Sequence, residues 1–170
     1  TNFVLRIDFA NDSATSLTRG PLTVVRGFFG GVSATGNSNY GWFAGGTSSI
    51  IDRIDFSNDS STASPRGTGG GSVATSGRAT GRSIKLQKTG NFGWFGGGRS
   101  SPVFSTVDRI DFANDSVTAS VRSPLSAARY SLAATGNSNY GWFGGGNGAS
   151  TRVDRIDFSN DFTTASIRVP

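Results

Sequence analysis

An all-β fold built from tandem repeats of four short strands is what this sequence predicts, and three observations predict it. The phrase Gly41-Trp42-Phe43-Ala44-Gly45-Gly46 returns as Gly93-Trp94-Phe95-Gly96-Gly97-Gly98 and again as Gly141-Trp142-Phe143-Gly144-Gly145-Gly146. A second phrase keeps step with it: Arg6-Ile7-Asp8-Phe9, Arg53-Ile54-Asp55-Phe56, Arg109-Ile110-Asp111-Phe112 and Arg155-Ile156-Asp157-Phe158. Helix signals are nearly absent, because glycine is frequent, the apolar residues are mostly β-branched or aromatic, and no i, i+3, i+4, i+7 stripe survives. A repeat period near 50 residues marks solenoids, propellers or arrays of one supersecondary unit.

Taken in order, residues 3–9 read as a strand closed by a turn at Asn11-Asp12. The short side chains of Asn and Asp bond nearby backbone and tolerate left-handed conformations. A Ser/Thr/Ala-rich strand follows through Leu17, then a connector, Arg19-Gly20-Pro21. Residues 28–35 and 39–46 form a hairpin turning at Gly36-Asn37-Ser38. The loop Thr47-Ser48-Ser49 leads into a strand over 50–56, and the cycle restarts. Each cycle gives four antiparallel strands, A to D, typified in the last repeat by residues 130–134, 139–145, 153–158 and 163–168. Three full cycles follow a lone C–D pair, with boundaries near 1–19, 20–65, 66–121 and 122–170 in a single region. Pro65-Arg66-Gly67-Thr68-Gly69-Gly70-Gly71-Ser72 reads as a flexible excursion between repeats.

Four strands at this period, the second ending in paired glycines, resemble the blades of kelch-type β-propellers. Arg129-Tyr130-Ser131-Leu132-Ala133-Ala134 followed by Tyr140-Gly141-Trp142-Phe143-Gly144-Gly145 resembles kelch strands A and B, and Val153-Asp154-Arg155-Ile156-Asp157-Phe158 resembles strand C. The pattern departs in strand D, where kelch repeats carry a Trp and this chain has Thr118-Ala119-Ser120 or Thr164-Ala165-Ser166. The wording of residues 105–137, STVDRIDFANDSVTASVRSPLSAARYSLAATGN, is also similar to tandem repeats in tail or fibre-type structural proteins of marine cyanobacterial phages. The resemblance implies three full blades plus a C–D half blade, part of a larger or oligomeric ring.

Strand alternation assigns the repeated residues. Tyr140 and Trp142 fall on one sheet face, Gly141 and Phe143 on the other. Stacked blades would bury both faces, which makes Trp42, Trp94, Trp142, Phe56, Phe112 and Phe158 the structural core of the repeat. The competing reading, sugar-stacking platforms, fits poorly with tryptophans in mid-strand. The paired glycines read as strand exits needing unusual dihedrals. Arg109 and Asp111 share a face, as do the equivalent pairs, and are expected to form ion pairs between blades.

Composition removes most chemistry. The 170 residues contain no Cys and no His, which excludes disulfides, thiolate nucleophiles, Cys/His zinc sites and Ser-His-Asp triads. It also excludes the His and Cys-modified Tyr of kelch-fold copper oxidases. Glutamate is absent, and all eleven acids are Asp within the repeated phrase. Glycoside hydrolysis needs two carboxylates in different settings, and no Asp stands outside the pattern. A calcium site at Asp108, Asp111 and Asp115 is disfavoured by their spacing. No catalytic residue, metal or cofactor is expected. The net charge of +5 favours anionic partners, although arginines in ion pairs account for it equally. A nucleic-acid patch from Arg78, Arg82, Lys85 and Lys88 near Phe92 is unspecific. No stretch approaches the ~18 apolar residues of a membrane helix.

Loop lengths carry the functional signal. The C–D turn is always Ser/Ala-Asn-Asp, whereas the spacing from Trp to the Arg of the next Arg-Ile-Asp-Phe phrase is 11, 15 and 13 residues. B–C and D–A loops share one face of an up-down blade, and binding residues favour variable loops over a rigid scaffold. Candidate partner residues are Arg66, Arg99, Ser100, Ser101, Asn147, Ser150 and Arg152. The expected function is a non-enzymatic virion structural or adhesion module, binding host-surface glycan, a neighbouring virion protein or further copies of itself. An intracellular kelch-type interaction scaffold is the alternative.

Overall fold

The alternating runs fold as antiparallel strands gathered into four sheets, in a computed structural model that describes residues 2–8, 10–11, 13–26, 32–46, 48–69, 91–99, 102–147 and 150–168. β1 (Val4–Arg6) pairs with β2 (Leu17–Arg19). The second sheet runs in chain order through β3 (Val32–Gly36), β4 (Tyr40–Gly45), β5 (Ser48–Asp55) and β6 (Ser64–Thr68). β7 (Phe92–Gly98), β8 (Phe104–Asp111) and β9 (Ser120–Arg122) make the third. The fourth comprises β10 (Leu132–Gly136), β11 (Tyr140–Gly145), β12 (Val153–Asp157) and β13 (Ser166–Arg168). The A strand expected in the third repeat falls within residues 70–90, outside those described. Among the described residues the chain is all-β, with one short 3-10 turn at Phe56–Asn58.

Side chains set the turns. The Asn37 carboxamide oxygen accepts from the N–H groups of Asn39 and Tyr40, both at 2.9 Å, and Asn137 does the same in the fourth sheet. Strand B ends where glycine alone is at ease: φ is +91° and +77° at Gly45 and Gly46, and +71° and +116° at Gly145 and Gly146. The D strands begin later than the sequence suggests, at Ser166 rather than Thr163 and at Leu17 rather than before it. In the second, third and fourth sheets the cause is a buried alanine. Ala63, Ala119 and Ala165 give their N–H groups to the carbonyls of Pro21, Thr68 and Pro124, at or just after the end of the preceding sheet, at 2.9, 2.8 and 3.0 Å, so the chain joins its own sheet only afterwards. The expected break at 65/66 lies inside β6, and Pro65 to Thr68 are strand, not excursion.

Between successive sheets lie three apolar clusters. Val4 and Leu22 pack with Phe43, Ile54 and Ala63. Trp42, Ala44 and Ile51 of the second sheet pack with Phe95, Ile110 and Ala119 of the third, and Val107 and Trp94 with Phe143, Ile156 and Ala165 of the fourth. Trp42 and Trp94 of strand B therefore pack forward on the next sheet, and Phe43, Phe95 and Phe143 back on the previous one, as alternation requires. Trp42 stacks on Phe112 at 4.1 Å and Trp94 on Phe158 at 3.9 Å between ring centroids. Phe56 is the exception: it is 43% exposed, because the two-stranded first sheet has no Trp to cover it.

The ion pairs between sheets use a different carboxylate from the one expected. Asp115 accepts from the Trp42 indole N–H at 2.7 Å and pairs with Arg53 at 3.1 Å and Arg66 at 3.7 Å. Asp161 receives Trp94, Arg109 and Arg122 in the same way, at 3.0, 3.0 and 3.5 Å. Asp59 receives Arg6 and Arg19 at 2.9 and 3.3 Å. The Asp two residues after each Arg turns away instead, because its side chain caps the following turn: Asp55 accepts from Ser57, Asp111 from Ala113 and Asp157 from Ser159.

Removing a partner from a buried ion pair costs about 3–5 kcal/mol, so Asp115→Ala should lower unfolding free energy by that order. Asp59→Ala should cost clearly less, since it lacks a Trp donor and the Arg6 side chain is half exposed. Urea unfolding of the two variants checks this, and equal losses would contradict the assignment.

Candidate functional site

Strand register brings the variable segments to one edge. In the fourth sheet Leu132 at the start of β10 pairs with Gly145 at the end of β11, and Val153 at the start of β12 pairs with Arg168 at the end of β13. The B–C loops and D–A connections therefore emerge together. The B–C loops span 46–47, 99–103 and 146–152.

Two arginines that sequence reasoning missed hold this edge in place. Arg26 and Arg129 lie in the D–A connections and are buried. Arg26 pairs with Asp52 at 2.7 Å and donates to the Gly45 carbonyl at 2.8 Å. Arg129 pairs with Asp154 and donates to the carbonyls of Gly145 at 2.6 Å and Arg152 at 3.0 Å. Thr23 adds its hydroxyl to Asp52, and the Ser126 N–H reaches Asp154 at 3.3 Å. Each guanidinium thus locks a D–A connection to strand C and to the B–C loop above it. The sequence signal was faint: the arginine stands 25 or 26 residues before its Asp, outside either repeated phrase.

On this base the loop residues of two sheets meet around Tyr130. The Arg99 guanidinium of the third sheet lies 4.9 Å from the Tyr130 ring centroid. The Asn147 N–H of the fourth sheet donates to the Tyr130 carbonyl at 2.9 Å. Arg152 reaches the Ser126 hydroxyl at 3.4 Å, and its N–H bonds the Ser150 hydroxyl at 3.2 Å. Arg99 and Asn147 are exposed, Ser150 and Arg152 half-buried. Arg66 is elsewhere: it sits on β6 in the joint with Asp115, because strand D continues through it. Ser100, Ser101, Arg78, Arg82, Lys85 and Lys88 lie outside the described residues.

A cation over a phenol ring, a carboxamide on a fixed backbone and a second guanidinium offer hydrogen-bond donors and positive charge at this edge. The acids expected of an alternative site are committed elsewhere. Asp115 serves the joint between sheets, Asp111 caps a turn, and Asp108 is fully buried in β8. Among the described residues no three carboxylates gather into a metal-holding group. Trp42 is completely buried rather than a ligand platform, while Trp94 and Trp142 are half-buried. Among the described residues no helix is long and apolar enough to cross a membrane. Compared with known proteins, the chain matches no family model, and no curated protein matches it.

The opposite edge is uniform and electrostatically set. Hydrogen bonds from the Ser57 side chain and then its backbone hold the Asp55 carboxyl below its ordinary value, with Arg53 helping; Ser159 and Arg155 do the same for Asp157. A depressed folded value means the turn's contribution is complete above the ordinary aspartate range, about 3.9. It is lost as pH falls through the folded value. Carboxyl NMR titration should show both groups ionising below ordinary aspartate, and Ser57→Ala and Ser159→Ala should each move only their own Asp upward.

Proposed function

We propose that the chain is a kelch-like β-propeller module serving a virion structural and adhesion role, of the tail or fibre type, that binds host-surface glycan through its B–C and D–A loop edge. The observation that carries this reading is the meeting of Arg99 and Asn147, from two sheets, at Tyr130, with Arg152 held by Ser126 on the same edge, the one whose loops differ in length. The buried Arg129–Asp154 clamp beneath supports it, since it ties down the loop base while Arg99 and Asn147 stand exposed. Sugar hydroxyls suit the amide and guanidinium donors, and acidic sugars suit the two cations. The tandem, near-identical sheets and the likeness of the repeat wording to phage structural repeats support the virion setting, an extracellular particle assembled in the host cytoplasm.

A glycan array probed with the labelled chain should return binders. The combined variant Arg99→Ala, Asn147→Ala and Arg152→Ala should lose them, with its melting temperature kept. Absence of any glycan binder, or full binding by the variant, would sink the reading; capture of a virion protein by the same edge would redirect it to assembly.

A further inference from the structure

The groove between the third and fourth sheets carries a cation that its counterparts lack. Arg152 stands one position before β12 and alternates with Asp154 and Ile156, the latter packed against Val107 of the third sheet. Its guanidinium reaches Ser126, in the connection between the two sheets. The second and third sheets have Ile50 and Thr106 at the place of Arg152. Arg99 enters the same groove from the third sheet, over the Tyr130 ring. Among the described residues no aspartate pairs with either arginine. The backbone beside Tyr130 is under strain: Ser131 has φ +60°, and it is the one described residue other than glycine with a positive value.

The carboxylate beneath Arg152 is incompletely satisfied. Asp154 is fully buried; its Oδ2 takes the Arg129 guanidinium and the Ser126 N–H, and its Oδ1 has no hydrogen-bond partner. In the second sheet both oxygens are used. Thr23, which follows Leu22 as Ser126 follows Leu125, gives its N–H to Asp52 Oδ2 at 3.2 Å and its hydroxyl to Oδ1. Ser126 makes the first of these bonds, at 3.3 Å, but its hydroxyl accepts from Arg152 at 3.4 Å instead. That hydroxyl serves the weaker of two claims. It makes a long bond to a half-buried guanidinium while a buried carboxylate oxygen goes without a donor.

We infer, on the reading that this edge binds glycan, that the groove takes acidic sugars by their carboxylate, with Arg152 exchanging the Ser126 hydroxyl for the ligand. A guanidinium presents paired N–H donors whose spacing matches the two oxygens of a carboxylate. Once the ligand occupies Arg152, the Ser126 hydroxyl is released and turns to Asp154 Oδ1, as that of Thr23 does to Asp52 Oδ1. Binding of the acid is thereby coupled to satisfying a buried charge. A neutral sugar hydroxyl bonds a guanidinium less strongly and displaces Ser126 less readily.

Paired glycans test it. An array should carry uronic-acid and sialic-acid glycans, the same glycans with the carboxyl group methyl-esterified, and sulfated ones. The acids should bind, and calorimetric titration of the tightest should give a dissociation constant on the order of tenfold below that of its ester. Arg152→Gln should abolish that difference. Ser126→Ala removes the hydroxyl and leaves both charges; it should weaken the acid several-fold and leave the ester unchanged, with its melting temperature kept. Ser126→Thr, which copies Thr23, retains the donor and should bind the acid at least as tightly as the parent. Equal binding of acid and ester overturns the inference while leaving the edge a glycan site. So does binding of sulfated glycans alone, or a preference for the acid that survives Arg152→Gln. An unchanged affinity for the acid in Ser126→Ala overturns the exchange. Silence from every glycan overturns the glycan reading and the inference with it.

Discussion

The carboxylate at the C–D turn, Asp115 in one joint and Asp161 in the next, is the contact on which the arrangement of sheets depends. It takes an indole N–H and two guanidiniums from the sheet before it, one from strand C and one from strand D. That fixes the tryptophan at its polar tip while its rings lie flat on Phe112 or Phe158. With the indole pinned, the next sheet must approach closely, and the glycines of strand B permit it. A Cβ at Gly93 would come within 2.5 Å of Thr35, and one at Gly96 within 2.8 Å of the Phe143 ring. Buried ion pairs add little net stability because both charges lose their water. Their value here is register, since only one sliding position lets three donors converge on one carboxylate.

A second arginine system does different work. Arg26 and Arg129 do not cross to the next sheet's carboxylate; they reach strand C of the sheet that follows them in the chain, and the carbonyls at the end of its strand B. The connection between sheets is thereby tied down at its middle, and the loop bases with it. Loops as unlike as 46–47 and 146–152 can then rise from equivalent platforms without disturbing the sheets. Separation of the two systems is what allows one edge to vary while the other repeats.

Much of this was legible in the residues. The forward Trp, the backward Phe, the left-handed glycines and the turn-capping Asp and Asn all follow from local rules: strand alternation, absence of a Cβ, short side chains near their own backbone. Partners across sheets were not. Arg109 shares a face with Asp111, but a face is only a direction, and the distance to Asp161 is set by how far the next sheet's turn reaches. Arg129 stands in neither the Trp nor the Arg-Ile-Asp-Phe phrase, and nothing in the sequence paired it with Asp154, 25 residues on. Arg66 was misplaced because the glycines after it suggest a loop, whereas the N–H of Gly67 is engaged by the Asp115 carbonyl at 2.7 Å. Phe56 looked like its counterparts and differs only in what stands in front of it.

The same accounting explains where the protein's positive charge resides. In the second and fourth sheets the three aspartates have three separate duties: clamp beneath the loops, turn cap, and joint to the preceding sheet. The clamp and joint carboxylates take up Arg6, Arg19, Arg26, Arg53, Arg66, Arg109, Arg122 and Arg129. Among the described residues, the arginines without an aspartate partner are Arg99, Arg152, Arg155 and Arg168. Two of them stand on the loop edge and two on the forward face of the fourth sheet. A net charge of +5 is therefore not a diffuse property of the surface. Its described part is concentrated at two places, each with a tyrosine ring beneath one guanidinium, and an anionic group arriving at either would meet cations already held in position rather than mobile side chains that must first be ordered.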